Sequence, residues 1–353
     1  MIGKIKRIES VDSLKGFGIF CVLWGHSLQH LRDGMSFVDN SIFELIYSFH
    51  MPLFFFISGF FFISSLKLSI TEFVKKKGMQ LLLPCLTWAV IFSVCRILSS
   101  LLLNDTIEWE KEAKFILFPL RWPFWFLKEL FISYMLVFIS MKIVKKEWLA
   151  FVLSLLFVLV APFCEFQRSF LPVFWVGFLL KSKSDLPVFR SKLLLPLLAA
   201  LFAVCLLFWS GEYNVYDVRF PKLFDIVTQT FNFENIHISV FRLFVGAVGS
   251  MFFFLLFERM YKQNRVFKFL ERMGVCTLAI YILQEPILEI WLSRLVNFDS
   301  VNVWIYNLAI TPAVSLVVAC ICVSTAELIN RHKRVSLLLF GSSYQKLQKN
   351  ELK

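Results

Sequence analysis

The sequence predicts an all-α, polytopic integral membrane protein with about ten transmembrane helices and both termini in the cytoplasm. Hydrophobic residues occupy 58% of the 353 positions, charged residues occupy 18%, and 43 residues are Phe. A soluble domain of this length could not bury so much apolar surface in one core, so most of that surface must face lipid. The apolar residues also fall into long runs, which short polar and basic segments separate.

Most of the apolar runs have a length that can span a bilayer, about 17 to 25 residues. The shortest run, over Phe170–Leu180, also suits a tilted or re-entrant segment. In chain order, the predicted spans are Gly16–Leu31, Phe43–Ile63, Met79–Leu103, Pro123–Met141, Trp148–Phe163, Phe170–Leu180, Leu193–Trp209, Ile238–Phe257, Val275–Leu292 and Val301–Ser324.

The basic residues predict the orientation of these spans. Of the 37 Lys and Arg residues, 25 fall in segments that are cytoplasmic if the N-terminus is inside, and eight fall in the opposite loops. Lys and Arg are enriched on the cytoplasmic side of membranes, so both termini are predicted to be inside. The same distribution explains the net charge of +12 without a nucleic-acid partner.

No stretch of about 100 residues lacks a long apolar run, so no soluble domain is expected. We predict a single transmembrane domain over 1–340 and a polar cytoplasmic tail over 341–353. The first run carries Lys15 and His26 and has no small-residue cleavage site after it, so we expect an anchor that is retained.

The eight cysteines lie in or beside apolar runs, without a CxxC pair or a Cys/His cluster. This pattern predicts free thiols, with neither a disulfide framework nor a bound metal.

Titratable residues in the first span are functional candidates, because such groups are costly in a membrane unless they face a cavity or a partner. On a helix, Asp12 and Lys15 are near neighbours on one face, and the eleven residues from Lys15 to His26 are close to a whole number of turns. Asp12 and His26 are about 21 Å apart along the axis, so they cannot hydrogen bond to each other. The three residues therefore form a polar stripe that links the two sides of the membrane.

The second span carries His50, and it runs in the opposite direction to the first. His50 is therefore predicted at about the depth of His26, and the two histidines are expected to share one cavity in the outer half of the membrane. Pro52 removes a helical hydrogen bond and Ser58-Gly59 allows close approach, which predicts a kinked or broken helix beside that cavity.

Each candidate also has a structural interpretation. A single histidine in a membrane can simply pack against a backbone carbonyl, and this holds for His26 and for His50. Arg7 and Lys75–Lys77 suit anchors that set the orientation. The Phe residues suit packing and lipid-facing surface.

Several motifs occur in an order that matches a known family. The first is Arg7, Asp12, Lys15-Gly16 and His26, and the second is the run Phe49–Gly59. Later matches are Trp125-Phe126-Leu127, the basic turn after the second span, and the run Gly274–Tyr281. Together they resemble the membrane-bound acyltransferase 3 family, and within it the bacterial sugar O-acetylases of the fucose 4-O-acetylase kind. The resemblance covers nearly the whole chain.

The resemblance implies a multi-pass protein of the bacterial inner membrane that transfers an acyl group, usually acetyl, from cytoplasmic acetyl-coenzyme A. The implied acceptor is a hydroxyl of an envelope carbohydrate, either a polysaccharide or its lipid-linked precursor. No permanently bound cofactor is implied. By motif position, His26 is the critical histidine and Arg7 the critical arginine, and Trp125, Tyr281 and Gln284 are expected to bind substrate. Family members often have His where this chain has Gln284, so a histidine role there does not carry over.

Acyl transfer from a thioester to a hydroxyl needs a base for the hydroxyl proton and a donor for the developing oxyanion. We expect His26 to be the base, because imidazole titrates near neutral pH. His50 is expected to donate to the oxyanion or to help bind the acceptor.

Phosphates of the donor nucleotide need positive charge and several hydrogen-bond donors. The expected donor site consists of Arg7, Lys15, Lys75, Lys76 and Lys77. Asp12 is expected to orient Arg7 or Lys15. We therefore count Asp12 among the catalytic residues, in a supporting role.

Two other functions remain open at the level of sequence. A polytopic protein with charged residues inside its spans could export or flip an envelope polysaccharide along the polar stripe. It could also be a non-catalytic scaffold in polysaccharide assembly. Neither function consumes acetyl-coenzyme A, so release of free coenzyme A distinguishes both from the enzyme.

The predicted orientation can be tested with reporter fusions. Reporters inserted in the loops Asn104–Arg121 and Gly211–His237 should report an external location, because the basic residues place both loops outside. An internal signal at either loop would contradict the orientation and the placement of His26.

Overall fold

The computed structural model describes residues 8–32, 37–118, 124–184, 191–214, 218–225 and 228–341. Helices dominate these ranges, which confirms the all-α class. The helices are α1 (Glu9–His30), α2 (Ser41–Phe60), α3 (Ile70–Leu103), α4 (Trp109–Leu117), α5 (Trp125–Val144), α6 (Glu147–Val160), α7 (Glu165–Ser182), α8 (Leu194–Leu207), α9 (Ile236–Met260), α10 (Arg265–Val275), α11 (Thr277–Leu295), α12 (Val303–Asn330) and α13 (Lys333–Phe340).

Three helices contain a wide, π-helical stretch: Gly78–Leu82 in α3, Pro286–Leu292 in α11 and Tyr306–Ile310 in α12. Short 3₁₀ turns cover Phe37–Asp39, Phe62–Lys67 and Gly211–Tyr213. A small antiparallel hairpin joins β1 (Phe224–Asp225) to β2 (Thr230–Phe231).

The apolar runs of the sequence all overlap helices, but the helices differ in their suitability as membrane spans. Among the described residues, α2, α3, α9 and α12 are long and apolar enough to cross a membrane. Helices α10 and α11 meet at 72° and make a fifth crossing if the bent pair is one span. Helices α6 and α8 are apolar but shorter. The structure therefore supports a multi-pass membrane protein, and the number of about ten spans stays a prediction.

The helix is not broken at Pro52, and the alternative of a kink there stays a prediction. Helix α2 continues without interruption from Ser41 to Phe60, with Pro52 inside it. The proline ring lies against Gly246 of α9, where a Cβ atom would come within 2.7 Å of the Pro52 Cγ atom. The neighbouring helix thus leaves room for the ring.

The chain falls into two compact units, and each is described separately below. Unit 1 comprises Met1–Gly18, Ser36–Leu68 and Ile132–Gly274, and unit 2 comprises Ile19–Met35, Ser69–Phe131 and Val275–Lys353. The expectation of one transmembrane domain over 1–340 stays a prediction.

Helices α2 and α7 of unit 1 touch each other through their backbones. A Cβ atom on Gly59 would lie 1.9 Å from the carbonyl oxygen of Phe174, and one on Gly177 would lie 1.9 Å from that of Phe56. Small residues at helix contacts in membranes allow this close packing. The close approach expected at Ser58-Gly59 is therefore confirmed.

The Gly59 contact predicts a specific sensitivity. Gly59→Ala should destabilise the protein by about 1–3 kcal/mol, because the added methyl group forces two backbones apart. We expect a lower thermal midpoint for the variant in detergent. Gly78→Ala is the matched control, because no heavy atom lies within 4 Å of a Cβ atom at Gly78. Equal midpoints for the two variants would show that the contact does not limit stability.

Candidate active site

The half of α1 that carries His26 is held firmly against α12 in unit 2. The Trp24 indole donates to the hydroxyl of Thr311 at 3.0 Å, and the hydroxyls of Ser27 and Ser315 are 3.0 Å apart. The Tyr306 hydroxyl lies 3.0 Å from the carbonyl oxygen of Ser27 and 3.1 Å from that of Leu28. These bonds fix the rotation of α1 on both sides of His26.

His30 lies one turn after His26 on the same helix. The two imidazole rings meet edge to face, with centroids 5.9 Å apart, and both residues are half-buried. Glu289 of α11 is close enough to His30 for its charge to act on the ring. Unit 2 therefore brings a second histidine and a carboxyl group into the neighbourhood of His26.

Two carboxyl groups lie near each other in α11. The side chain of Glu285, just before the wide part of the helix, is within reach of the side chain of Glu289 inside it. Wide helical turns of this kind are frequent at functional sites.

Arg96 of α3 connects this region to the short helix α4. Its Nε and Nη2 atoms each donate at 2.8 Å to the carboxylate of Glu112, and its charge also acts on Glu285. Burial raises the pKa of Glu112, but the hydrogen bonds and charge of Arg96 outweigh burial, so the net pKa is lowered. Glu112 therefore stays ionised and holds Arg96 in place.

Unit 2 also connects the predicted substrate-binding residues. Gln284 is fully buried, and its Nε2 atom is 3.4 Å from both the carbonyl oxygen of Tyr281 and a carboxyl oxygen of Glu285. The Tyr281 ring packs on Phe126, whose ring contacts Trp125, with centroid distances of 5.6 and 6.2 Å. Within the described ranges, the Gln284 Oε1 atom is buried without a hydrogen-bond partner. Trp125, Tyr281 and Gln284 therefore lie in one connected group, and their role in substrate binding stays a prediction.

His50 lines a separate pocket inside unit 1. Its Nδ1 atom is 2.7 Å from the carbonyl oxygen of Ile46. Since a carbonyl only accepts, the neutral ring carries its proton on Nδ1, and Nε2 is left as an acceptor. In this tautomer His50 suits contact with a hydroxyl of the acceptor better than donation to an oxyanion. His26 belongs to unit 2, so the shared cavity stays a prediction.

Asp12 and Lys15 form an ion pair in unit 1, with Oδ1 and Nζ 2.8 Å apart. The Lys15 ammonium also lies 5.4 Å from the centroid of the Phe61 ring. A Cβ atom on Gly274 would meet the carbonyl oxygen of Asp12, so α10 packs directly on the start of α1. Asp12 thus orients Lys15, as expected for a supporting residue.

The basic residues of the predicted donor site are only partly described. Lys75, Lys76 and Lys77 end the first segment of α3, which Ser69 and Glu72 begin with a reciprocal pair of capping hydrogen bonds. Lys75 and Lys76 are exposed, and Lys77 is half-buried. Arg7 lies outside the described residues. Convergence of these residues on one nucleotide stays a prediction.

Sequence reasoning missed His30, Glu285 and Glu289. The spacing in the sequence could have indicated them. His30 follows His26 by four residues and Glu289 follows Glu285 by four, so each pair lies on one face of a helix. In the part of the chain that the structure describes, no group of three or more His, Cys, Asp or Glu side chains could hold a metal ion. The cysteines are free thiols.

Comparisons with known proteins identify a family and two relatives. Residues 8–326 match the sequence profile of a family described as an acyltransferase domain. A protein of Mesorhizobium japonicum named Nodulation protein NolL is 28% identical over 355 residues, covering 92% of this chain and 87% of the relative. A protein of the same name from Sinorhizobium fredii is 26% identical over 232 residues, covering 61% of each chain. No solved structure matches the chain.

The family match extends over nearly the whole chain, including α1 with His26 and α11 with Gln284, Glu285 and Glu289. The chain therefore belongs to the acyltransferase 3 family and is an O-acyltransferase.

Proposed function

We propose that this protein transfers an acetyl group from acetyl-coenzyme A to a hydroxyl of a cell-surface carbohydrate, as a multi-pass protein of the bacterial inner membrane. Membership of the acyltransferase family and likeness to two nodulation proteins support the proposal. The observation that carries it is the group formed by His26, His30 and Glu289 in unit 2. It combines a candidate base with groups that can take up a proton.

The reaction needs one proton to move. The acceptor oxygen attacks the thioester carbonyl carbon, the carbon–sulfur bond breaks, and coenzyme A leaves as a thiolate. His26 removes the proton of the attacking hydroxyl, and the same proton finally reaches the thiolate. His30 lies one turn away and Glu289 acts on it, so these groups stabilise the charge that appears on His26.

The donor occupies the cytoplasmic end of α1 in this proposal. Arg7 and Lys15, with the triplet Lys75–Lys77, bind the phosphates of the nucleotide. The pantetheine arm then runs along α1 towards His26, over a distance of about 21 Å from the level of Asp12. The carbohydrate approaches from the opposite side and contacts Trp125, Tyr281 and Gln284.

We further propose about ten membrane spans, with both termini in the cytoplasm. Helices α1, α5 and α7 have 22, 20 and 18 residues, which is long enough to cross a bilayer, although they carry charges. Charges inside a membrane need partners within the protein. Asp12 pairs with Lys15, Lys128 pairs with Glu129 at 2.6 Å, and carbonyl groups surround Arg168.

Export or flipping of a polysaccharide is the alternative, and it needs no acyl donor. The test is release of free coenzyme A from acetyl-coenzyme A by the purified protein in nanodiscs, with and without the envelope glycan. Mass spectrometry of that glycan gives the added mass and its position. Acceptor-dependent release supports transfer, and glycan movement without release supports export.

His26→Ala is expected to lower turnover by about 10²–10⁴-fold, the usual effect of losing a general base. The measurement is acceptor-dependent coenzyme A release by protein that inserts and folds normally. His237→Ala is the control, since His237 lies at the start of α9 in unit 1 and belongs to no candidate site. Turnover near that of the wild type would assign the base to another residue, with His50 the first to test.

Glu289→Gln is expected to lower turnover and leave the affinity for acetyl-coenzyme A unchanged. The amide keeps the shape of the side chain but removes the charge that acts on His30. Glu258→Gln, at an exposed position of α9, is the control. An equal loss in both variants, or a loss confined to donor affinity, would contradict a role of Glu289 beside His30.

A further inference from the structure

Helix α4 (Trp109–Leu117) of unit 2 leaves large apolar side chains exposed. Trp109 is 65% exposed and Leu117 is 71% exposed, and Ile116 and Phe118 are exposed as well. The helix lies within the loop Asn104–Arg121, which the basic residues predict to be external. A contiguous group of exposed apolar side chains in so short a segment marks a contact with a membrane or with another protein.

Three kinds of side chain lie on three separate faces of α4. At about 100° per residue, each of the first two faces covers about 100° of arc, and the third is narrower. The apolar face is exposed and carries Trp109, Ala113, Ile116 and Leu117. The charged face is also exposed and carries Glu110, Lys111 and Lys114. The third face carries Glu112, which is buried, and Phe115, which is half-buried.

The third face is tied to Arg96 of α3. Both carboxylate oxygens of Glu112 accept from Arg96 at 2.8 Å, and the centroid of the Phe115 ring lies 3.8 Å from the Arg96 Cζ atom. A bidentate pair of this kind fixes direction as well as distance. The rotation of α4 about its own axis is therefore set, and the apolar and charged faces both point away from α3.

Arg96 also sets the position of α4 along α3. Helix α3 ends at Leu103, about 10 Å along its axis after Arg96. The Arg96 Nη2 atom lies 3.5 Å from the Ser93 hydroxyl, so the guanidinium points away from that end. Further along the chain, the rings of Phe124 and Phe92 pack with centroids 5.3 Å apart. The chain therefore turns back after Leu103, and α4 lies beside the last turns of α3 instead of projecting beyond them.

The surface of α3 at this level indicates what surrounds α4. Helix α3 is long and apolar enough to cross a membrane. A span needs about 17 to 25 residues, and counted from the basic triplet Lys75–Lys77 this length ends at about the level of Arg96. The exposed side chains of α3 around that level are apolar, and they are Val94, Leu98, Leu101 and Leu102. Helix α4 is thus at the height of a membrane boundary.

We propose that α4 is an interfacial helix that lies on the membrane surface. Its apolar face contacts lipid chains, and its charged face contacts headgroups and water. Amphipathic helices with such separate faces bind membranes in this orientation, and tryptophan is enriched at the same boundary. Lipid is favoured over a protein partner because the apolar face continues the lipid-facing surface of α3. The proposal concerns a membrane contact and does not depend on acetyl transfer.

The experiment uses the photoreactive residue p-benzoylphenylalanine in the full-length protein, in nanodiscs of phosphatidylcholine and phosphatidylglycerol. It replaces Ile116 or Leu117 on the apolar face, and Lys111 or Lys114 on the charged face as matched controls. All four positions are exposed, so each has room for the larger side chain. After irradiation, mass spectrometry of the intact protein measures the fraction that carries a lipid. We expect several-fold more lipid adduct from the apolar face, because the excited ketone reacts with the C–H bonds that it contacts.

Two results would overturn the proposal. Equal yields of lipid adduct from the two faces would show that α4 does not lie with its apolar face in the membrane. Crosslinks from position 116 or 117 to a second copy of the chain, in place of lipid adducts, would assign this face to a protein contact. The two positions on each face give independent readings, so failure of one variant to fold leaves the comparison intact.

Discussion

Polar groups among the apolar helices of this protein must find their partners inside the protein, because lipid offers no hydrogen bonds. This constraint explains the ion pair of Asp12 and Lys15, the hydroxyl pair of Ser27 and Ser315, and the carbonyl groups around Arg168. Under the same constraint, a buried polar atom without a hydrogen-bond partner is a candidate contact for a substrate. Among the described residues, the Oε1 atom of Gln284 is buried without a hydrogen-bond partner, and Gln284 belongs to the predicted substrate-binding set.

The same constraint positions the candidate base. His26 lies inside the continuous helix α1. Neighbouring indole and hydroxyl groups hold this helix to α12 through Trp24, Ser27 and Tyr306. A base held in this way needs little rearrangement when the substrate arrives, which is how preorganised sites lower activation barriers.

Much of the architecture could be predicted from the sequence, because each long apolar run overlaps a helix. The Asp12–Lys15 pair and the close approach at Gly59 were also predictable, since both follow from local spacing. The unbroken helix at Pro52 was less predictable, because Gly246, nearly 200 positions later, leaves space for the ring.

The candidate site was less predictable, for a similar reason. Glu289 is a candidate because its charge acts on His30, which lies on another helix. No local pattern encodes such partners. The resemblance to a family placed His26 in the site, but it could not identify the residues that surround it.

The wide turn over Pro286–Leu292 has an evolutionary consequence. A turn of this kind holds one residue more than an α-helical turn, so it corresponds to a single inserted residue. Deleting one residue there would restore a regular α-helix and keep the residues after the turn in nearly the same orientation relative to Glu285. Relatives with a regular α-helix at this point should therefore align with this chain through a one-residue gap between Glu285 and Ser293.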